Sequence, residues 1–145
     1  MSCMGELQAW ERSIDARLAA PDDVLERLWQ ELLEDCEVFR GTIFVAELDD
    51  EVVGYIGVLA RVPQENSDEI DYDFAQVTDV VVLGQHRSKG IGAALLSRAK
   101  THAREAGRRW LRINVLAGNR AAAALYRRCG FHDREIILEH DLDAG

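Results

Sequence analysis

The sequence is poor in cysteine and proline, and it contains no long apolar run. Its 145 residues include three cysteines and two prolines. Three widely spaced cysteines exclude a disulfide framework and a CxxC zinc or redox site, and they fit a reducing compartment. No apolar run approaches the roughly 20 residues of a membrane span, and the N-terminal residues lack a signal-peptide pattern. We therefore expect a cytoplasmic protein with no membrane partner.

Basic residues are also scarce. The chain has 17 Lys and Arg against 26 Asp and Glu, a net charge of −9. This balance argues against nucleic acid as a partner, because phosphate contacts need a basic face. Residues 1–86 hold 5 basic and 20 acidic residues, whereas residues 87–145 hold 12 basic and 6 acidic. The split predicts two ligands of opposite charge, with an accidental asymmetry of a solvated surface as the alternative.

Length and composition indicate one globular domain over residues 1–145. With 48% hydrophobic and 30% charged residues, the chain can bury a hydrophobic core without disulfide or metal cross-links. Its four histidines lack zinc-ligand spacing, so no metal is expected. Residues 1–12 are a leader of uncertain structure. Beyond it, periodicity and turn signals predict the order β-α-β-β-β-α-β-α-β. Strands are predicted at Ser13–Ala19, Thr42–Leu48, Val52–Val62, Gln76–Leu83, Arg109–Leu116 and Phe131–Leu142, and helices at Pro21–Asp35, Gly90–Ala106 and Arg120–Cys129.

The densest functional signal is a glycine-containing loop between an apolar strand and a helix. The strand ends in three valines, and the helix begins at Gly90 and Gly92. Free N–H groups at a helix start favour an anion, and glycines let it approach the backbone. Arg87 and Lys89 add positive charge. The segment therefore predicts a pyrophosphate site, with glycines that merely ease helix packing as the alternative.

Two common phosphate loops do not match this segment. The dinucleotide fingerprint requires a third glycine where this chain has Leu95. The P-loop requires Gly-Lys followed by Ser or Thr, whereas the order here is Ser88-Lys89-Gly90. The loop therefore fits neither of these two phosphate-binding patterns.

Arg87-x-x-Gly90-x-Gly92 after a Val-rich strand resembles the acetyl-CoA pyrophosphate loop of the GNAT superfamily of N-acetyltransferases. A second segment runs from Asn119 to Phe131 and is similar to that family's asparagine followed by a helix ending in Leu-Tyr-x-x-x-Gly-Phe. Together the two motifs are more specific than either one alone.

The resemblance covers residues 14–140. Residues 16–23 are similar to the family's opening strand and helix start, and residues 47–58 are similar to the hairpin formed by its second and third strands. The resemblance implies an α/β fold with a mixed, mostly antiparallel sheet. In this fold the sheet is splayed between the fourth and fifth strands, and helices cover both faces.

The resemblance also implies acetyl-CoA as the cosubstrate. The main chain of Val80, Val81 and Val82 would bind the pantetheine and thioester end, with the Val82 amide near the thioester carbonyl oxygen. Asn119 would bind the pantetheine arm or stabilise its own turn. The pyrophosphate would be held by the loop residues Arg87, Ser88, Lys89, Gly90, Ile91, Gly92 and Ala93.

Tyr126 is the predicted catalytic acid. It stands where the family places a phenol beside the cofactor, and a phenol with a pKa near 10 can protonate a thiolate whose pKa is about 8.5. Packing against Phe131 is its alternative role. The family's usual glutamate base corresponds to Thr78 or Asn114, and neither side chain can act as a base. Asp79 is the predicted base, with bonding to nearby backbone as the alternative.

The acceptor is predicted to be cationic. Between Arg61 and Arg87 there are six acidic residues and no basic one, and a field of this sign concentrates cations. A solvated loop is the alternative. The predicted substrate-binding carboxylates are Glu69, Asp71, Asp73 and Asp79.

Together these features predict an N-acetyltransferase that acts on a primary amine of a small molecule or peptide by direct attack in a ternary complex. A homodimer is left open. One alternative is a sensor that binds acetyl-CoA without catalysis, and another is a nucleotide-binding regulatory protein that uses the loop for ATP.

Overall fold

The computed structural model describes residues 2–144, of which Ser2 is described by its backbone alone. Within this part of the chain lie four α-helices and four strands, and no helix there is long and apolar enough to cross a membrane. The helices are α1 (Ser2–Ile14), α2 (Pro21–Val38), α3 (Ile91–Glu105) and α4 (Arg120–Arg128), and the strands are β1 (Gly41–Leu48), β2 (Glu51–Pro63), β3 (Asp73–Val82) and β4 (Leu111–Ile113).

The strands form one sheet in the order β1-β2-β3-β4. The β1/β2 and β2/β3 pairs are antiparallel, and β3/β4 is parallel, which confirms the predicted mixed α/β class. β4 pairs with β3 only over Ala75–Val77, although β3 continues to Val82. The sheet is therefore open beside residues 78–82, between the strands that correspond to the predicted fourth and fifth.

Helices cover both faces of this sheet, because successive strand residues point to opposite sides. Helices α3 and α4 pack on one face and α1 and α2 on the other. The core on the α3 side contains Ile56, Val58, Val77, Leu95, Leu96, Ala99 and Tyr126. The core on the α1 side contains Cys3, Met4, Leu32, Tyr55 and Val81.

A bulge interrupts β3 just before the opening. The register shifts between two β2–β3 pairs, Ile56–Val80 and Val58–Val77. Gly57 therefore faces two residues, Thr78 and Asp79, and a bulge of this kind redirects side chains. A side chain at Gly57 would collide with the Thr78 hydroxyl. As a result, Thr78 and Asp79 both line the α1–α2 side instead of alternating.

The predicted strand at Ser13–Ala19 is wrong. Residues 2–14, most of which the sequence left without an assigned structure, form α1. Ser13–Ala19 comprises the end of that helix and a turn, closed by a 3.1 Å hydrogen bond from Leu18 N–H to the Asp15 carbonyl. Three alternating apolar residues are too short a strand signal. Ile14 instead belongs to α1, whose buried Met4 packs with the α1-side core.

The predicted strand Phe131–Leu142 is also absent. No strand is assigned in this segment, and three consecutive apolar residues, 136–138, are exposed. Its composition favours β structure, but a strand needs a neighbour, and the described part of the chain offers it none. Three ion pairs join the segment to the rest of the chain: Arg127–Asp133 at 3.1 Å, Arg134–Glu69 at 2.6 Å and Arg17–Glu139 at 2.7 Å.

Candidate active site

The loop that follows β3 is held by two hydrogen bonds in its first half. The Arg87 Nε atom donates a 3.1 Å hydrogen bond to the Val82 carbonyl, which ties the loop to the strand end. The Gly84 N–H donates to the Glu6 carboxylate of α1 at 3.2 Å. The loop therefore enters α3 at Ile91 with its path set by contacts on two sides.

The first turn of α3 presents unpaired donors. The first bond within the helix runs from Ala94 N–H to the Gly90 carbonyl at 3.0 Å, so the amides of Ile91, Gly92 and Ala93 have no partner inside the helix. Gly90 has a φ of 80° and no side-chain cap, and nothing lies within 4 Å of the position a Cβ would take. This arrangement suits a phosphate group.

Two further loop residues stand beside this helix start. Ser88 and Lys89 are exposed, and Ser88 adopts a φ of 64°. The positive φ is uncommon for a side-chain-bearing residue and turns the chain sharply before α3. The structure thus brings the predicted pyrophosphate residues together around one exposed helix end.

The end of β3 directs two more amides into the opening in the sheet. Leu83 N–H donates to the Val53 carbonyl at 2.9 Å, so this pair exchanges the hydrogen bonds between β3 and β2. Because bonding alternates along an antiparallel strand, Val80 and Val82 turn their N–H groups away from β2, and Val81 turns its N–H toward it. Of the three predicted valines, two therefore present amides to a ligand in the opening.

Tyr126 lies on α4 and is 9% exposed. Its ring packs edge-on against Phe131, with 6.2 Å between the ring centroids. Burial raises the pKa of the Tyr126 phenol to about 12, and the negative charges of Glu11 and Asp79 add to this effect. The phenol therefore stays protonated at neutral pH.

Asp79 occupies the bulge of β3. The Tyr55 hydroxyl donates a 3.2 Å hydrogen bond to its Oδ2 atom. Burial raises the pKa of the Asp79 carboxyl, and the bond from Tyr55 offsets part of that rise. A carboxyl whose pKa moves toward neutrality is a better proton acceptor for catalysis near pH 7.

Glu11 of α1 is a site residue that the sequence reasoning missed. Burial raises the pKa of its carboxyl, and the charge of Asp79 raises it further. The available signal was a helical one: Met4, Leu7 and Glu11 are spaced three and four residues apart, which places a carboxylate on the apolar side of an amphipathic helix. The assignment of residues 1–12 as a leader hid this pattern.

Glu11 and Asp79 line one cavity of about 560 Å³. It lies between α1, the loop after α1, α2 and the bulge of β3. Apolar side chains such as Leu7, Leu28 and Leu32 form much of its wall. The cavity can therefore take an aliphatic group and present carboxylates to its polar end.

Three other predicted substrate residues lie elsewhere. Glu69 and Asp71 belong to the connection between β2 and β3, Asp73 is the first residue of β3, and none of the three lines this cavity. The first and third are engaged in ion pairs, Glu69 with Arg134 at 2.6 Å and Asp73 with Arg61 at 2.9 Å and Arg108 at 3.4 Å. Their role in acceptor binding stays a prediction.

Asn119 caps α4. Its side-chain oxygen accepts a 3.4 Å hydrogen bond from the Ala122 N–H. Asn119 therefore stabilises its own turn, and this cap also positions Tyr126 two turns further along the helix.

Among residues 2–144 no group of three His, Cys, Asp or Glu side chains could hold a metal ion.

Comparisons with known proteins agree with this geometry. A model of the acetyltransferase (GNAT) family matches residues 7–131. The chain is 30% identical to an N-alpha-acetyltransferase of Sulfurisphaera tokodaii, over 88% of this chain and 76% of the relative. It is 33% identical to an aminoglycoside N(6')-acetyltransferase type 1 of Stenotrophomonas maltophilia, over 81% of this chain and 74% of the relative. The chain spans 40 to 76% of the length of the curated relatives it matches.

A solved structure shares the fold. The aminoglycoside N-acetyltransferase AAC(6')-Iy, in complex with the bisubstrate analog CoA-S-monomethyl-acetylneamine, superposes with a TM-score of 0.63 at 17% identity, over 75% of this chain and 76% of that one. With the family model spanning most of its length, the chain belongs to the GNAT acetyltransferase family. The resemblance inferred from the two sequence motifs is thereby confirmed.

Proposed function

We propose that this protein is an acetyl-CoA-dependent N-acetyltransferase that acts on a primary amine of a cationic small molecule or peptide. One observation carries the proposal: the amides of the first turn of α3 have no partner inside the helix and follow the stretch of β3 that β4 leaves unpaired. A protonated phenol at Tyr126 and a carboxyl with a raised pKa at Asp79 support it. Both relatives with at least 30% identity are named as N-acetyltransferases, which supports the same reaction class.

The residues present fit acetyl-CoA. The amides of Ile91–Ala93 and the space around Gly90 suit its pyrophosphate. The amides of Val80 and Val82 face away from β2 and are free to bind its pantetheine and thioester end. When bound, acetyl-CoA supplies the acetyl thioester. An amide aimed at a carbonyl oxygen that gains negative charge is an effective catalytic contact.

Two side chains move the protons. An aliphatic amine has a pKa near 10.4 and is mostly ammonium at pH 7, so a base must remove a proton before attack. Asp79 takes this role because burial raises the pKa of its carboxyl. Tyr126 protonates the departing sulfur, which its protonated phenol allows.

The thiols of the chain favour direct attack over an acetyl-cysteine route. Burial raises the pKa of the Cys3 and Cys36 thiols, so little thiolate forms at neutral pH. Cys129 packs against the apolar core on the α3 side. The proposal therefore places the amine and the thioester in one ternary complex.

Two measurements test the proposal. Calorimetry gives the Kd for CoA with and without excess ATP, and a thiol assay follows CoA release with 1,4-diaminobutane, neamine and a peptide with a free N-terminus. We expect CoA binding that ATP does not displace and steady release with at least one amine. CoA binding without release from any amine would instead identify a sensor, and displacement by ATP would identify a nucleotide-binding protein.

A further inference from the structure

Helix α4 carries the phenol of the proposed catalytic acid on few buried side chains. Of its nine residues, only Ala123 and Tyr126 are buried. Near its middle the helix rests on the first turn of α3, where a Cβ added at Gly92 would lie 3.1 Å from the Leu125 side chain. The orientation of the last turn of α4, which includes Tyr126, therefore depends on contacts made at the end of the helix.

Lys100 of α3 makes two such contacts. Its Nζ atom donates a hydrogen bond to the Cys129 carbonyl at the end of α4, and it lies 5.4 Å from the centroid of the Phe131 ring. A lysine at this place satisfies a carbonyl that has no partner inside the helix, and the negative end of the helix dipole favours its charge. No ion pair of the described residues includes Lys100, so its ammonium group is engaged with α4 and with no acid.

Both groups that Lys100 contacts are themselves in contact with Tyr126. The N–H groups of Cys129 and Phe131 donate to the Tyr126 carbonyl at 3.1 and 3.0 Å. The Phe131 ring also packs edge-on against the Tyr126 ring. Gly130 closes this turn with a φ of 97°, a conformation that suits glycine after a helix. A displacement of this turn or of the Phe131 ring would therefore move the Tyr126 ring.

We propose that Lys100 is a positioning residue that fixes the Tyr126 hydroxyl relative to the first turn of α3. It acts through the Cys129 carbonyl and the Phe131 ring. One helix thus carries the unpaired amides at its start and, further along, the support of the phenol. Proton transfer requires the donor to lie within hydrogen-bond reach of its acceptor, so a displaced phenol transfers more slowly. This inference rests on the proposed function, in which Tyr126 protonates the sulfur, and it adds no chemical step.

The substitution Lys100→Met removes the ammonium group and keeps an unbranched apolar side chain beside Phe131. With the amine that wild type uses best, we expect kcat to fall about 10-fold because the phenol is displaced. The Kd for CoA should stay within about twofold, since the first turn of α3 lies about two turns away.

A double-mutant cycle with Tyr126→Phe shows whether Lys100 acts through the phenol. If it does, Lys100→Met should change the kcat of the Tyr126→Phe variant by less than about twofold, because the group that it positions is already absent. An unchanged kcat for Lys100→Met in wild type, or the same fractional loss in both backgrounds, would overturn the inference.

Arg98→Met is the matched control. Arg98 is an exposed cation on the same helix, and its guanidinium lies 4.6 Å from the centroid of the Phe44 ring of β1. The substitution therefore removes a cation–ring contact of the same kind, but one that does not involve α4. We expect kcat to stay unchanged in both backgrounds. A loss equal to that of Lys100→Met would mean that any such contact of α3 affects kcat, and it too would overturn the inference.

NMR spectra recorded without turnover separate the inference from the reaction. The tyrosine rings are labelled with ¹³C at their ε positions, and the Tyr126 signal is the one that Tyr126→Phe removes. We expect Lys100→Met to move this signal, because the ring current of Phe131 acts on it, and Arg98→Met to leave it in place. An unmoved signal in Lys100→Met would exclude the positioning role whether or not an amine is acetylated. A moved signal together with a wild-type kcat for Tyr126→Phe would support the positioning role and reject the proposed acid.

The wild type offers a further measurement that needs no variant to fold. The chain has only one other lysine, Lys89, which is exposed in the loop before α3. We expect the ε-CH₂ signal of Lys100 to be shifted by the Phe131 ring, and that of Lys89 to stay near the position of free lysine. Equivalent signals for the two lysines would mean that Lys100 does not lie over the ring, and the inference would fail.

Discussion

Three ionisable side chains from three elements share one physical environment. Burial raises the pKa values of Glu11, Asp79 and Tyr126, and the negative charge of the carboxyls raises them further for Glu11 and Tyr126. The shifts have complementary effects. The carboxyls become stronger proton acceptors, and the phenol is kept in the form that can donate.

The role of the phenol can be isolated by the substitution Tyr126→Phe. The variant keeps the ring that packs against Phe131 and removes only the hydroxyl. We expect kcat to fall by about 10²-fold or more, a typical contribution of a general acid, with an unchanged Kd for CoA. Steady-state kinetics and calorimetry measure the two quantities.

Tyr72→Phe provides the control for this experiment. The Tyr72 hydroxyl donates to Glu69 at 2.8 Å and lies outside the cavity, so its removal should leave kcat unchanged. Equal kcat values for wild type and Tyr126→Phe would rule out proton donation by Tyr126.

The sequence predicts some of these residues and not others for a clear reason. Tyr126 follows Asn119 at a fixed spacing within one helix, so a local motif locates it. Glu11 and Asp79 meet only after α1 packs on the sheet. In addition, strict alternation along β3 would place Thr78 and Asp79 on opposite faces. A register shift opposite Gly57 brings both to one cavity, and a one-residue shift leaves little trace in local composition.

At the scale of elements, helix α3 is flanked by two glycines that have nearly the same backbone φ angle. Gly90 precedes the helix with a φ of 80°, and Gly107 follows it with a φ of 79°. Nothing lies within 4 Å of either added Cβ position. The two glycines therefore impose the same backbone requirement, but only Gly90 borders the unpaired amides.

This symmetry permits a matched pair of variants. Gly90→Ala and Gly107→Ala should each lower the free energy of unfolding by about 1 kcal/mol, because an L-residue disfavours positive φ. Only Gly90→Ala should also weaken CoA binding, since relaxation there moves the amides of the first turn. Urea unfolding and calorimetry separate the effects, and equal loss of CoA affinity in both variants would argue against a pyrophosphate site at Gly90.

The sequence predicts an element well where the local pattern of apolar residues and end signals defines that element by itself. Helices α2, α3 and α4 carry strong periodicity and terminal signals, and the predicted helices match them closely. The predicted strand Arg109–Leu116 shortens to Leu111–Ile113, since β4 pairs with only three residues of β3. Strands depend on a neighbour, which composition cannot specify.

At the scale of the whole molecule, the uneven charge has a structural counterpart. The acidic residues 1–86 build α1, α2 and β1–β3, which include the cavity. The more basic residues 87–145 build α3, β4 and α4. The opening in the sheet lies between these halves. Their opposite fields favour an anionic cosubstrate on one side and a cationic acceptor on the other, as the proposed reaction requires.

The same charges set the pH dependence of stability. The folded-state pKa values of Glu11 and Asp79 are raised, so folding binds protons between their unfolded values near ~4 and the raised values. Stability from these groups therefore falls as pH rises through that window. The lowered pKa values of Asp15, Glu69 and Glu139 act oppositely, but only in more acidic solution.

We therefore expect the Tm of the free protein to fall as pH rises from about 4 through the raised pKa values of these two carboxyls. The raised pKa values of Cys3, Cys36 and the tyrosines do not matter here, because those groups stay protonated throughout this range in both states. Glu11→Gln should flatten the fall, since it removes one of the two carboxyls whose pKa values are raised. Glu34→Gln, which changes an exposed acid on α2 outside the cavity, should not. Differential scanning calorimetry at matched ionic strength measures the three profiles. A wild-type Tm that rises over this interval, or a Glu11→Gln profile parallel to wild type, would mean that the two carboxyls do not interact inside the fold.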